Sequence, residues 1–383
     1  MNHGPISVGH IPSPTWNHLD ANAGRVEDAI SLRTGIETNF GELPEGVSYK
    51  SLTFARAAKW LKEHAPEEQA EYVVAGKKPI YHPQSFGTGL GQEFDELLDE
   101  TGTEYKLLET APKVSVKEPI VWSIDFQDGN EASQGQLIHV GAGSSLTVVL
   151  SVRSERNAEG TAALSTKIVL EKGAQLTLVK AQLLGQNYIF LDDTGATLEE
   201  DAALRMIQIE LGGAAVYVGT QPELIGSRSS FEAKVGYLGK GDRGLDINYN
   251  VVQRGRRTAS AMTFDGVLDD NSRKAFRGTI DFRRGSKGSK GDEQENVLLL
   301  SDDIVNKTLP IILCEEEDVE GRHGASIGQL DEEMLFYMAT RCIDRKEAEQ
   351  IMVRARLGAV IREIPDMPLR AELMNRIEEA FRK

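Results

Sequence analysis

Two cysteines in 383 residues, Cys314 and Cys342, with no C-x-x-C spacing, are too few for a disulfide framework or for a thiolate cage closed within one chain. Any metal cluster would need ligands from elsewhere. No apolar run reaches the ~18 residues that a membrane-spanning helix requires, and Met1 to Ser13 lacks the charged and apolar regions of a secretory signal. The expected compartment is the cytoplasm. Positive charge is in deficit: 43 Lys and Arg against 59 Asp and Glu give a formal charge of −16 and a pI near 5.0. Long-range repulsion then opposes nucleic acid and anionic membranes, so neither is expected as a partner. Phosphate-binding loops are missing as well. Gly285 to Gly291 is rich in glycine and lysine but lacks the G-x-x-x-x-G-K-[ST] spacing, and reads as a mobile turn. Gly87-Thr-Gly-Leu-Gly91 follows no convincing strand and opens no apolar helix, which argues against a dinucleotide fingerprint. The chain itself is not expected to hydrolyse ATP.

With 40% apolar and 27% charged residues, the composition is that of an ordinary folded domain. The first hundred or so residues mix short helical stretches, Ser51 to His64 among them, with turn-rich polar segments. From Val121 to Leu313 the texture becomes short β-type runs punctuated by Gly, Asn and Asp. Leu146, Val148, Leu150 and Val152 share one face, as do Leu245, Ile247, Tyr249 and Val251, and Phe276, Ile280 and Phe282. The opposite faces carry Asp246, Asn248 and Asn250, or Arg277, Thr279, Asp281 and Arg283, and read as solvated. A loose G-x-x-L signal recurs at Gly143, Gly173 and Gly195 without a regular period. Runs beginning at Phe231, Leu245, Ala259 and Phe276 lie 14 to 17 residues apart, too close for crossover helices but long enough for turns around a coil. A solenoid of stacked strands fits this best, although propensity alone suits a large antiparallel sandwich or barrel as well. After Gly328 the pattern turns helical. Asp331 is a candidate N-cap, Asp344 and Glu347 have capping-box spacing, and Ala348, Ile351, Met352 and Ala355 form one apolar stripe. Pro365 and Pro368 interrupt the chain before a last helix over 370–382. This gives an N-terminal mixed region over 1–120, a β core over 121–328 and a helical bundle over 329–383.

Taken singly, the candidate functional residues are bland. Cys314 closes the apolar run Leu309 to Leu313 and reads as a small buried hydrophobe, and Cys342 is blander still. Glu315 to Asp318 reads as a solvated acidic face. Arg254, Arg256, Arg257, Arg273, Lys274, Arg277, Arg283, Arg284, Lys287 and Lys290 form a locally positive stretch that suits an acidic partner or phosphate. No aromatic interleaves it as single-strand binding requires.

The segment Glu295-Asn-Val-Leu-Leu-Leu-Ser-Asp-Asp303, then Cys314 through Arg322-His-Gly-Ala-Ser-Ile-Gly328, then Leu330-Asp-Glu-Glu-Met-Leu-Phe-Tyr337, resembles the C-terminal signature of the SufB/SufD family of the SUF iron–sulfur cluster assembly system. Pro14-Thr-Trp-Asn-His-Leu19 and Leu43-Pro-Glu-Gly-Val47 resemble shorter motifs of the SufD branch. The resemblance covers Val121 to the C-terminus, with patches before it. It implies a right-handed parallel β-helix with an N-terminal region and C-terminal helices, mainly β, in agreement with the solenoid reading. It also implies pairing with a homologous SufB-like subunit, and a SufC-type ATPase engaged through the C-terminal helices, with a homodimer open to the isolated chain. B subunits carry a Glu after the His of this motif and a functional Cys on an upstream strand. Here Gly324 and the Cys-free stretch Glu295 to Asp303 stand there, so a SufD-type subunit is implied, with His323 as site residue. A neutral imidazole can ligate iron and can equally relay a proton. No cofactor is expected to stay on the isolated chain, only transient iron or an iron–sulfur cluster in the complex. The last solenoid strands, around Val297 to Leu300 and Leu309 to Leu313, are expected to offer unpaired edges to the partner. A β-helical carbohydrate-active enzyme is the alternative, with Asp265, Asp269 and Asp270 as its candidate acids. A hexapeptide-repeat acyltransferase lacks the strict six-residue period it would need.

Overall fold

The computed structural model describes residues 5–13, 17–27, 30, 32–33, 36, 38–65 and 86–382; Pro14 to Trp16 of the first short motif lie outside them. The architecture is a β-solenoid of about 8 turns with 49% strand. Its walls are two nine-stranded sheets. The first sheet runs, in spatial order, through Thr38–Phe40, Ile120–Asp125, Ser145–Arg153, Gln175–Leu183, Ala203–Glu210, Ser230–Gly239, Ala259–Leu268, Ser289–Leu299 and Val319–Gly328. The second runs through Val47–Leu52, Tyr105–Thr110, Asn130–Val140, Glu159–Leu170, Asn187–Leu198, Ala215–Leu224, Gly244–Gln253, Arg273–Phe282 and Val305–Cys314. From Tyr105–Thr110 onward consecutive strands alternate between the sheets, so each coil contributes one strand to each wall. Only the first strand of each sheet pairs antiparallel; the rest are parallel.

Register partners such as Ser145, Gln175 and Ala203 recur at roughly thirty residues, a solenoid period. The 14 to 17 residues between successive β runs are therefore half-coils. Parallel register stacks like on like: Leu146, Leu176, Leu204 and Phe231 form one inward column, and Val148, Leu178, Met206 and Ala233 the next. All are buried between the sheets, each contributing about 1.5–3 kcal/mol for the larger side chains. One corner turns on a residue in the left-handed region in seven successive coils: Lys113, Gly143, Gly173, Asp201, Arg228, Arg257 and Gly288, with φ from 56° to 78°. Each donates its N–H to a carbonyl of the following coil at 2.6–3.0 Å, so the corner is a continuous hydrogen-bond ladder.

Both outer walls carry a partial cover. Helix α1 (Phe54–His64, with Thr53 as N-cap) and α2 (Gln92–Thr101) lie on the second sheet with the antiparallel pair Ile6–Val8 and Gly24–Val26. Asn248, Asn250, Arg277, Thr279 and Asp281, expected to be solvated, are consequently buried. Arg277 pairs with Asp246 and donates from Nε to the Gly9 carbonyl. The Gly87–Gly91 loop does open an apolar helix, contrary to expectation, because α2 buries Phe94, Leu97 and Leu98. Its glycines serve close backbone approach: a Cβ on Gly89 would sit 1.9 Å from the Thr220 nitrogen. Asn248 Nδ2 donates to the Gly89 carbonyl and the Leu90 N–H to Asp193 Oδ1. Burial, and then the charge of Asp95, push the Asp193 carboxyl up to about 7. Gly89→Ala is expected to lift this loop at a cost of about 1–3 kcal/mol, read as faster amide exchange over 86–98 with the solenoid strands unchanged.

Three helices follow the last strand: α3 (Glu332–Thr340), α4 (Arg345–Ile361) and α5 (Met367–Phe381). Asp331 and Asp344 cap α3 and α4 as expected, accepting from the N–H groups of Glu333 and Glu347. The expected stripe on α4 is displaced: Ile351 and Ala355 are exposed, and the buried face is Ala348, Val353, Leu357, Val360 and Ile361. That face and Leu369, Leu373 and Ile377 of α5 cover Val149, Val179, Ile207, Ile209 and Leu238 on the first sheet. Pro368 lies in the first turn of α5, where its missing N–H costs nothing, rather than before the helix.

Candidate functional site

The two ends of the solenoid differ. Beside the first coil the sheets end in the short antiparallel strands Thr38–Phe40 and Val47–Leu52, whereas at the other end, among the described residues, the long parallel strands Val319–Gly328 and Val305–Cys314 pair only with Ser289–Leu299 and Arg273–Phe282. Both sheets therefore end in a strand with one free edge. The expected edge at Val297 to Leu300 is not one, because Ser289–Leu299 is paired on both sides; the edge at Leu309 to Leu313 is. Large apolar side chains lie exposed on both border strands, Val305 at 44% and Ile327 at 43%.

His323 sits on the last strand, exposed, and makes no hydrogen bond or ion pair among the described residues. Its register partner on the preceding coil is Glu293. Side chains paired in parallel register share a face, so His323 belongs to the inward-facing set of its strand. Gly321, two residues earlier, confirms the phase: a Cβ there would meet Phe282 and Ile312 of the opposite sheet.

Beneath the imidazole the interior is polar. Lys274 and Glu295 face each other across the sheets, both side chains fully buried, in an ion pair. Lys274 Nζ also donates to Thr308 Oγ1 at 2.9 Å, Thr308 Oγ1 to Glu295 Oε2 at 2.7 Å, and the Tyr237 hydroxyl to Glu295 Oε1 at 2.8 Å. Tyr237 reaches Glu295 over Gly266, where a Cβ would meet its ring at 2.1 Å. Burial pulls the Lys274 ammonium below its usual range, opposed by Glu295. Burial, reinforced by Glu295, raises the Tyr237 phenol. Glu293 has no such partners. Burial first, and then the charge of Glu295, push its carboxyl up to about 8.

The structure redistributes the other sequence candidates. Lys274 and Arg277 leave the supposed basic patch for the interior, and Arg254, Arg283 and Lys290 pair with Glu223, Asp281 and Glu320. Cys314, expected to be buried, is exposed because it ends a border strand with no coil above it. Asp269 pairs with Lys240, Asp265 accepts from the Asn296 amide, and Asp270 holds a left-handed turn. These acids are committed to structure and do not converge on a sugar-cleaving site.

Against known proteins, the family model described as SUF system FeS cluster assembly, SufBD core domain, matches residues 126–356. The chain belongs to the SufBD family. The iron–sulfur cluster assembly protein SufD of Bacillus subtilis is 26% identical over 155 residues, 40% of this chain and 36% of that protein. A SufBD family protein of Mycobacterium leprae is 24% identical over 232 residues, 58% and 59% of the two chains. A chloroplastic SufBD family protein of Arabidopsis thaliana is 24% identical over 182 residues, 48% and 33%. The matched stretches thus span less than two thirds of these relatives. The SufBD core match takes in the polar interior, the open border and His323, and ends within α4. Sequence reading missed Glu293 and Glu295. The two-residue alternation Gly291, Glu293, Glu295, Val297 was the available signal, but the intervening Lys290, Asp292, Gln294 and Asn296 are polar too, so neither face stood out.

Proposed function

We propose that this SufBD chain is a SufD-type subunit, a non-enzymatic scaffold whose open end is completed by a SufB-like subunit and whose C-terminal helices dock a SufC-type ATPase. The observation that carries this reading is the pair of free strand edges with His323 on one of them. An exposed edge offers unpaired backbone donors and acceptors to an added strand, and exposed Val305 and Ile327 supply apolar contact beside it. On the helical side, Phe336 at 73% exposure, Tyr337 at 58% and Met367 at 68% are the kind of side chains that anchor a protein interface. ATP-driven motion of the docked partner would reshape the border around His323, where transient iron or an iron–sulfur cluster is handled. The working compartment is the cytoplasm; no described helix is long and apolar enough to cross a membrane.

Two measurements test this. His323→Ala is expected to leave folding and partner binding intact and to lower cluster formation by the reconstituted complex about tenfold or more, as loss of a metal contact does. Unchanged cluster yield removes His323 from the site. Affinity purification of the tagged chain is expected to bring down a homologous β-solenoid subunit and an ATPase; a solitary monomer, or only a homodimer, defeats the scaffold reading.

A further inference from the structure

Glu293 is the buried acid that packing does not account for. Its side chain is 1% exposed, and neither carboxylate oxygen has a hydrogen-bond partner among the described residues. Buried carboxylates are ordinarily paired, hydrogen-bonded or bound to a metal, since desolvation without compensation is costly. Glu295 cannot share its partners, being engaged by Lys274, Thr308 and Tyr237. Room is nevertheless kept for the Glu293 carboxylate, which lies against Gly278: a Cβ at that position would sit 2.2 Å from Oε2. Its register partner one coil outward is His323, on the same sheet face and about 4.8 Å away along the hydrogen-bonding direction.

Two carboxylate oxygens and one imidazole nitrogen, on adjacent rigid strands at an open border, are a donor set that suits ferrous iron. No thiolate joins them, since Cys314 Sγ is engaged with the Glu316 carbonyl at 2.9 Å. Resting on the reading of His323 above, we propose that Glu293 is a second iron ligand, so that carboxylate and imidazole form the inner half of an Fe2+-receiving site whose outer half is water and the partner chain. Binding exchanges the carboxyl proton for the metal, the proton leaving to solvent, with no change of oxidation state. Gly278 keeps the carboxylate pocket open, and the Lys274–Glu295 pair beneath holds the second acid away from the metal.

The test is anaerobic Fe2+ titration against a competing chelator, with Co2+ absorption as a geometric probe, on the full chain and on its co-purified complex. Glu293→Gln keeps the shape of the side chain and removes the anionic ligand. It is expected to weaken Fe2+ binding about tenfold or more and to diminish the Co2+ bands, as is His323→Ala. Should the amide variant fold poorly, Glu293→Asp, which withdraws the carboxylate by one methylene, is expected to weaken binding less. Wild-type affinity in both Glu293 variants with loss in His323→Ala overturns the role of Glu293 and leaves His323 standing. Absence of Fe2+ binding in both preparations, or indifference to all three substitutions, overturns the site, while co-purification with the ATPase still decides the scaffold reading separately.

Discussion

Lys274→Ala should destabilise the chain by about 3–5 kcal/mol, the typical result of removing one member of a buried ion pair. Lys274 and Glu295 are both fully buried, and the ammonium is also held by Thr308. Without it, Glu295 keeps Tyr237 and Thr308 as donors but loses its counter-charge inside a solenoid that water does not reach. The measurement is the shift in urea midpoint at constant slope, with circular dichroism as probe. Replacing both residues, as Lys274→Met with Glu295→Leu, should recover most of the loss, because apolar pairs of similar volume often match buried ion pairs in stability. A loss under about 1 kcal/mol for Lys274→Ala would place the pair in contact with solvent, and the end coil would then be frayed rather than packed. The pair lies one coil inside the open border, so its stability decides how firmly the inward face bearing Glu293 and His323 is presented.

The inward faces of the solenoid were legible because their alternation is strict: Leu245, Ile247, Tyr249 and Val251 point into the core as read. The coil period was not, because the corner that repeats it is glycine only at Gly143, Gly173 and Gly288. Lys113, Arg228 and Arg257 occupy the same left-handed position and carry no turn signal, and Asp201 is one aspartate among many in these runs. Of the three glycines that suggested a repeat, Gly195 belongs to a different place, mid-strand, where a Cβ would strike the Gly87 carbonyl. The outer walls misled for another reason. Periodicity distinguishes the face toward the core from the face away from it, but it cannot tell whether a second layer covers the latter. Asn248 and Arg277 look like solvent-facing polar residues and are in fact the anchors of the N-terminal cover. At the candidate site, His323 was found through its flanking motif alone. Nothing in Arg322-His323-Gly324 signals that the strand is the last of its sheet, a property of the whole topology.

Stability should fall as pH rises from about 5 to 8, the reverse of ordinary acid denaturation. Glu210 is buried mid-solenoid, accepting from Gln208 Nε2 at 2.8 Å through Oε1, while Oε2 has no partner among the described residues. Burial first, and then the neighbouring charge of Asp192, push its carboxyl up to about 8; Glu293 stands at a similar value for similar reasons. In the unfolded chain a glutamate titrates near 4.3, so between that pH and about 8 the folded state holds protons that the unfolded state has released. The stabilisation is complete below the unfolded value, is lost progressively through this window, and changes no further above it. Each such group contributes a slope of up to about 1.4 kcal/mol per pH unit. The two together should lower stability by about 2–5 kcal/mol between pH 6 and 8. Acids held below their usual range, such as Glu200, Asp201 and Glu320, are ionised in both folded and unfolded chains throughout this window and do not alter the trend; their weak, exposed contribution is lost only in acid. Urea midpoints at pH 6 and pH 8 read the effect. Glu210→Gln, which carries no proton to lose, should remove about a third to a half of it, the Asp193 carboxyl at about 7 adding a smaller share in the same window. A midpoint that climbs with pH in the parent chain would mean that both acids are ionised and hydrated. The same dependence bears on the border: a cation bound at Glu293 replaces its proton, so the pH 8 deficit should shrink when Fe2+ is present and persist for Glu210, which lies among Lys180, Gln182 and Asp192 in the closed interior.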